Sequence, residues 1–153
     1  MNMGFYKQGK YKPFHVEKYA GNINNIVYRS SWERKFMVWC DRNPSVIKWN
    51  SEGMPISYFS KADGKTRRYF VDFILMIKDK DGEVKRYLIE IKPYAQTQPP
   101  KMPKRKTEKT KQRYMNDIKT YQINCDKWKA ASKWADTHGF IFKIMTEHNL
   151  GIS

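Results

Sequence analysis

From Ser30 onward, apolar positions recur at helical spacing: Trp32, Phe36 and Trp39. Ser30-Ser31-Trp32-Glu33 sets a serine three residues ahead of a glutamate, a capping-box signature, and the spacing predicts a helix over 31–42 with a buried aromatic stripe. Asn43-Pro44 ends it, because the Pro44 ring disfavours helical backbone at the preceding residue. Beyond Pro44 the period shortens to that of strands. Val46-Ile47-Lys48-Trp49, Pro55-Ile56-Ser57-Tyr58-Phe59, a long run from Arg68 to Lys78, and Val84 to Lys92 predict a meander of four strands. Ala62-Asp63-Gly64-Lys65 and Lys80-Asp81-Gly82 supply turns. Four prolines (Pro93, Pro99, Pro100, Pro103) exclude regular structure over 93–107 and predict a surface loop. Thr107 to His138 reads as a helix carrying Tyr114, Ile118, Tyr121, Cys125, Trp128 and Ala135 on related faces, with Gly139 placed to end it. Phe140 to Met145 is a final strand. Residues 1–28 interleave Lys7, Lys10, Lys12 and Lys18 with Phe5, Tyr6, Tyr11, Phe14 and Tyr19, broken by Gly4, Gly9, Pro13 and Gly21. That composition predicts a basic aromatic arm outside the layers of the fold, with residues 29–153 as one domain.

Composition changes the picture chiefly through charge. Thirty Lys+Arg against fifteen Asp+Glu in 153 residues leave a formal charge of +15, so a polyanionic partner is expected. Aromatics at 15% argue for a packed core despite a mean hydropathy of −0.83. No apolar run approaches the ~20 residues of a membrane helix, and the N-terminus carries no apolar signal core, so a soluble, unexported chain is expected. Cys40 and Cys125 stand far apart, and His15, His138 and His148 are scattered, which writes neither a disulfide framework nor a zinc cluster. Reduced thiols in a cytoplasm fit.

Asp72 and Glu90 are the informative carboxylates, because each lies in an otherwise apolar run where an unpaired charge is costly. If Lys80-Asp81-Gly82 forms a three-residue loop, with Gly82 in the left-handed conformation such loops favour, residues 79 and 83 pair. Counting back along that register sets Asp72 opposite Glu90, with Cβ atoms ~5 Å apart, and the period of two adds Lys92 to the same face. A loop of two or four residues would throw the two acids onto opposite faces. Two carboxylates suit a hard cation such as magnesium or manganese, and a neighbouring lysine can position or deprotonate water. That combination suits metal-assisted phosphodiester hydrolysis, and the basic surface suits DNA or RNA as substrate.

The order Glu33, Asp72, then Glu90-Ile91-Lys92 resembles the P-D…(D/E)-x-K nuclease superfamily. The longer strings Tyr28-Arg29-Ser30-Ser31-Trp32-Glu33-Arg34-Lys35-Phe36-Met37, Asn43-Pro44, Arg68-Tyr69-Phe70-Val71-Asp72-Phe73 and Leu88-Ile89-Glu90-Ile91-Lys92-Pro93 resemble the head completion nucleases of T-even-like tailed phages. The plan is also similar to that of the Tn7-type transposon end-cleaving endonucleases. Val71 departs from the proline in the superfamily's name. The resemblance implies an α/β (α+β) restriction-endonuclease-like core, a mixed central sheet flanked by helices. It also implies an Mg²⁺- or Mn²⁺-dependent deoxyribonuclease that acts in head completion after DNA packaging. The expected places are the virion head at the portal vertex and the infected host's cytoplasm, with portal or head-completion proteins as partners. Asp72 and Glu90 become metal ligands and Lys92 the catalytic lysine. Glu33 becomes a helix-borne ligand or water-positioning acid, and the Ile91 carbonyl a further ligand. Gln96 becomes an additional site residue at the DNA, since some members carry a Gln after the E-x-K strand.

Plainer readings stand beside these. An E-x-K in a strand is usually a solvated face with an ion pair worth ~0–1 kcal/mol. Glu33 can serve simply as the capping-box partner of Ser30, and a side chain folded back on its helix start cannot also reach a metal. Lys101, Lys104, Arg105, Lys106, Lys109, Lys111 and Arg113 form a basic run with Glu108 its one acid, read here as tracking phosphates, with Arg29, Arg34 and Lys35 neutralising the strand to be cut. No base-reading element is recognisable, so little sequence specificity is expected. The alternative to the enzyme is a DNA-binding structural head-completion protein without catalysis. Strandedness, endo or exo action, one metal or two, oligomeric state and host stay open at this stage.

Overall fold

The computed structural model describes residues 8–151. In chain order the elements are β1 (Gly9–Lys10), β2 (Val27–Tyr28), α1 (Ser31–Arg42), β3 (Val46–Ser51), β4 (Pro55–Ser60), β5 (Lys65–Phe70), β6 (Phe73–Lys78), β7 (Val84–Ile91), α2 (Glu108–His138), β8 (Ile141–Met145) and α3 (Glu147–Leu150). A four-stranded sheet in the order β3-β6-β7-β8 forms the centre, antiparallel except for the parallel pair β7/β8. This mixed sheet with α1 and α2 against it is the α+β, restriction-endonuclease-like architecture expected.

Local chemistry sets most boundaries as read. The Ser30 hydroxyl accepts the N–H of Glu33 at 3.1 Å to start α1, and Asn43 leaves the helix in extended backbone ahead of Pro44. Thr107 caps α2 through a reciprocal bond with Thr110, and Gly139 closes it at φ 75°. The loop 80–82 is the predicted one: Asp79 N–H donates to the Glu83 carbonyl at 2.9 Å, Gly82 takes φ 81°, and the ladder runs from Lys78↔Val84 to Phe73↔Ile89. The expected stripe on α1 turns slightly: Trp32, Phe36, Met37 and Cys40 are buried, while Trp39 stays 45% exposed, its ring stacked on Phe36 at 5.6 Å.

Two expectations are corrected. The run Arg68 to Lys78 is not one strand: it breaks at Val71-Asp72, and β4/β5 form a separate two-stranded sheet instead of continuing a four-strand meander. The reason is that two cores compete for it. Tyr69 and Val71 pack with Ile56, Tyr58, Leu88, Ala131 and Ala135 under α2, whereas Phe73 and Leu75 pack with Phe36, Met37 and Trp49 under α1. In an unbroken strand residues 71 and 73 would share one face; the break lets them feed opposite cores.

The second correction concerns residues 1–28. Residues 1–7 lie outside the described residues, but 8–28 are built into the fold rather than being an arm. Tyr11, Tyr19 and Ile26 are core residues. Buried Asp41 accepts the Tyr11 hydroxyl and the backbone N–H groups of Phe14 and His15, and Lys18 reaches the carbonyls of Asp41 and Asn43 at the end of α1. Burial pushes the Asp41 carboxyl up, but those three hydrogen bonds outweigh it and hold the group below its ordinary value. Tyr19 bridges to Trp49, and Ala20 N–H donates to the Trp49 carbonyl at 2.8 Å, so the segment covers the exposed edge of β3. Cys40 and Cys125 are free thiols. Among the described residues no helix is long and apolar enough to cross a membrane.

Candidate active site

Strand β7 lies between both cores, with Ile89 and Ile91 in the α1 core and Leu88 in the α2 core. Alternation therefore turns Glu90 toward the α2 side, where it is only 5% exposed. Its Oε1 accepts the Tyr69 hydroxyl at 2.7 Å. A hydrogen bond to a charged group contributes about 1.5–3 kcal/mol, which offsets part of the cost of burying the carboxylate.

Asp72 occupies the link between β5 and β6, one position beyond the last ladder pair Phe73↔Ile89, and so stands level with Glu90 as the register required. It is not a strand residue, however. Freed by the break, its Oδ2 accepts the Ile91 N–H at 2.8 Å, hooking the carboxylate onto the end of β7. Lys92 extends the parallel ladder by donating its N–H to the Met145 carbonyl at 3.0 Å, and its half-buried side chain follows Glu90 on the same face.

The electrostatics are those of two acids in one poorly hydrated place. Burial raises Asp72 well above the ordinary carboxylate range, and the charge of Glu90 adds to it; the Ile91 N–H and Lys92 pull the other way. Burial likewise raises Glu90, opposed by the Tyr69 hydroxyl and by Lys92. The Tyr69 hydroxyl is itself pushed far up by burial and by Glu90, so it remains a donor.

Glu33 keeps half of its capping box. Its N–H bonds Ser30, but its side chain turns from the Ser30 N–H and Oε1 instead accepts the Arg29 N–H at 3.3 Å. That orientation leaves it in the field of the site: burial first, then Glu52 and Glu90, raise its pKa against the Arg29 N–H. Among the described residues no three His, Cys, Asp or Glu side chains close into a ready cation cage. Asp72 and Glu90 are the pair that meets, and Glu33 stands at its rim.

The expected DNA-binding residues fall in three places. Arg29 is held by Glu52 through two bonds, Nε–Oε1 at 2.9 Å and Nη2–Oε2 at 3.1 Å, and feels Glu33 and Asp72 as well. Arg34 and Lys35 are exposed around an open depression with Tyr28, Ser31 and Val38, the Arg34 guanidinium 5.9 Å above the Tyr28 ring. Gln96 follows β7 in a single 3₁₀ turn and lines a cleft of about 320 Å³ against α2 with Gln98, Tyr121 and Asn124; none of Glu33, Asp72 and Glu90 lines it. Lys101, Lys104, Arg105 and Lys106 lie exposed before α2, and Lys109, Lys111 and Arg113 lie exposed on its first turns.

Three residues near the site escaped the sequence reading. Tyr69 was legible only as core, because its hydroxyl finds Glu90 through a break that no pattern announces. Glu52 takes φ 53°, unusual for a residue with a side chain, while its N–H donates to the Asp72 carbonyl at 3.0 Å. Lys127 on α2 lies with its ammonium 5.5 Å from the Tyr69 ring centroid. A signal for Lys127 existed: it stands three residues after buried Asn124 and four before buried Ala131, a charge on the packed face of a helix.

The comparisons with known proteins identify the family. Residues 43–147 match the family described as TnsA-like endonuclease N terminal, a span that contains Asp72, Glu90 and Lys92. The chain is 46% identical over 142 residues, 93% of its length and 92% of the relative's, to the protein named Head completion nuclease from Enterobacteria phage T4. No solved structure matches it. With more than half its length under the family pattern and a relative covering nearly all of it, the chain belongs to the TnsA-like endonuclease family.

Proposed function

We propose that this endonuclease cleaves DNA phosphodiester bonds with a divalent cation, Mg²⁺ or Mn²⁺, held by Asp72 and Glu90, and that it serves the completion of a tailed-phage head. The observation that carries the reading is the buried pair Asp72 and Glu90, both raised in pKa by burial, with Lys92 beside them at the end of β7. Negative charge concentrated in a poorly hydrated place favours a cation, and hard carboxylate oxygens suit these two metals. The Ile91 carbonyl is the backbone ligand proposed between them, with Glu33 reaching in from the rim.

When bound, such a cation would polarise the phosphate and make water more acidic. The chain's own groups do the remainder. Ile91 N–H and the Tyr69 hydroxyl fix one oxygen of each carboxylate, so the pair does not have to reorganise around its ligand. The Lys92 ammonium orients the attacking water or donates to a phosphate oxygen, and Glu33 is the acceptor that can hold that water in line. Arg29, Arg34, Lys35, Gln96 and the basic stretch 101–113 bind the backbone on either side, which gives affinity with little base discrimination. Action at the portal vertex, on DNA and beside portal or head-completion proteins, extends the role named for the phage T4 relative to this chain.

The test is incubation of supercoiled and linear plasmid with the protein in Mg²⁺, Mn²⁺ or EDTA. Nicking and linearisation with either metal and none in EDTA is expected. Equal cutting in EDTA would refute the metal requirement, and DNA binding without cutting in any metal would favour a structural head protein.

A further inference from the structure

The proposed chemistry uses Lys92, yet α2 brings a second lysine to the same spot. Asn124, Ala131 and Ala135 form the buried face of α2, and Lys127 shares it. The rotation of the helix is fixed next door. Buried Asp126 accepts the Lys61 N–H at 2.9 Å through Oδ2 and the Gln122 amide at 3.1 Å through Oδ1, tying α2 to the end of β4. Lys127 therefore projects over the Tyr69 ring, 5.5 Å from its centroid, and it is the Tyr69 hydroxyl that holds Glu90 at 2.7 Å. Among the described residues no carboxylate lies within 4.0 Å of its ammonium, so the charge is directed at the site without being spent on a salt bridge. The surroundings agree: burial lowers its pKa first and Lys92 second, while Glu90 and Asp72 pull it up, so all four charged groups share one field.

We propose that Lys127 is a second phosphate-binding cation of the active site, reaching from α2 to a non-bridging oxygen of the phosphodiester to be cut while Lys92 approaches from β7. This rests on the nuclease reading above. The bland competitor is a purely structural lysine, whose stem packs on Tyr69 and whose charge only compensates Glu90. An ammonium held over an aromatic face, with no carboxylate among the described residues within 4.0 Å, is better suited to an incoming anion. Two lysines on different elements would also clamp the phosphate from two sides, which a single flexible lysine cannot do.

The test compares wild type, Lys127→Ala, Lys127→Met and Lys127→Arg for cleavage of a short duplex at saturating DNA, with melting temperatures measured alongside. Ala and Met are expected to cut roughly 10²-fold more slowly, by analogy with losing one preorganised donor at a developing charge. Met retains the stem on Tyr69 and its melting temperature should match wild type, while Arg should recover most of the rate. Lysine acylation read by mass spectrometry gives a second readout: a short duplex bound in Ca²⁺ should protect Lys127. Full activity in Lys127→Met, or labelling of Lys127 that DNA leaves unchanged, would overturn the proposal. Wild type that binds DNA but fails to cut it in Mg²⁺ or Mn²⁺ would overturn the nuclease reading instead, and Asp72→Asn run in parallel separates the two: it should be inactive even if Lys127→Met is not.

Discussion

Asp72 and Glu90 make the stability of this protein depend on pH in the direction opposite to that of ordinary surface carboxylates. Both bind a proton more tightly in the folded chain than in the unfolded one, because burial opposes the charged form. The stability they contribute is thus fully present below the unfolded carboxylate pKa, about 4, and is lost as pH rises through their raised folded values. In EDTA, thermal unfolding should show the wild type losing stability from pH 5 to pH 8, and Asp72→Asn should flatten that loss and melt higher at pH 8. Adding Mg²⁺ at pH 8 should raise the melting temperature of the wild type and leave that of Asp72→Asn nearly unchanged. A wild type and variant with parallel pH curves would mean that these acids are well solvated. The side chains that would answer such questions were partly legible in sequence: the pairing of Asp72 with Glu90 follows from the left-handed Gly82 and the loop it closes. Tyr69 was not legible as a partner of Glu90, because a Tyr alternating with Val71 and Phe73 describes a core residue equally well.

At the scale of elements, α2 divides into two halves with different lives. Residues 121–138 carry the buried Asn124, Asp126, Ala131 and Ala135, whereas from 108 to 120 only Thr110 and Tyr114 are even partly buried. The first half is held by its Thr107–Thr110 cap and its own backbone bonds, with little tertiary packing to stabilise it. Hydrogen exchange should therefore be much faster for amides of 112–120 than for 124–135, and DNA should slow the former; uniform protection along α2 would contradict this division. The same helix shows why its ends were readable and its environment was not. Thr107 and Gly139 act through their own neighbours, so local sequence specifies both caps. Periodicity sets Ile118 on a face related to those of Cys125 and Ala135, yet it is 42% exposed, since periodicity states which residues align and not whether anything lies opposite them. The break at Val71-Asp72 is a stronger case. Tyr-Phe-Val-Asp-Phe-Ile reads as one apolar run, and only the presence of two cores, one under each helix, decides that it must split. Tyr11, Tyr19 and Ile26 have no period at all, and their burial depends on Asp41, Trp49 and the open edge of β3 being near.

The whole molecule is a compact acidic site set in a strongly cationic surface, thirty Lys+Arg against fifteen Asp+Glu. That surface should dominate affinity and make it steeply salt-dependent. Plotting the logarithm of the binding constant against that of salt concentration should show a linear fall, and Lys101→Ala, Lys104→Ala, Lys106→Ala and Lys109→Ala combined should flatten the slope by about 0.9 for each lysine that meets a phosphate. An unchanged slope would place the DNA elsewhere. Cleavage should respond to a different set of residues from binding, because the groups proposed to cut lie at the end of β7 and those proposed to bind lie outside it. The most direct measurement is therefore plasmid cleavage in Mg²⁺ by wild type, Asp72→Ala and Lys92→Ala, with DNA affinity of all three determined in Ca²⁺. Cutting by the wild type, loss of it by at least about 10²-fold in both variants, and affinities within a few-fold of one another are the predicted result. Undiminished cutting by Asp72→Ala would contradict the account at its centre.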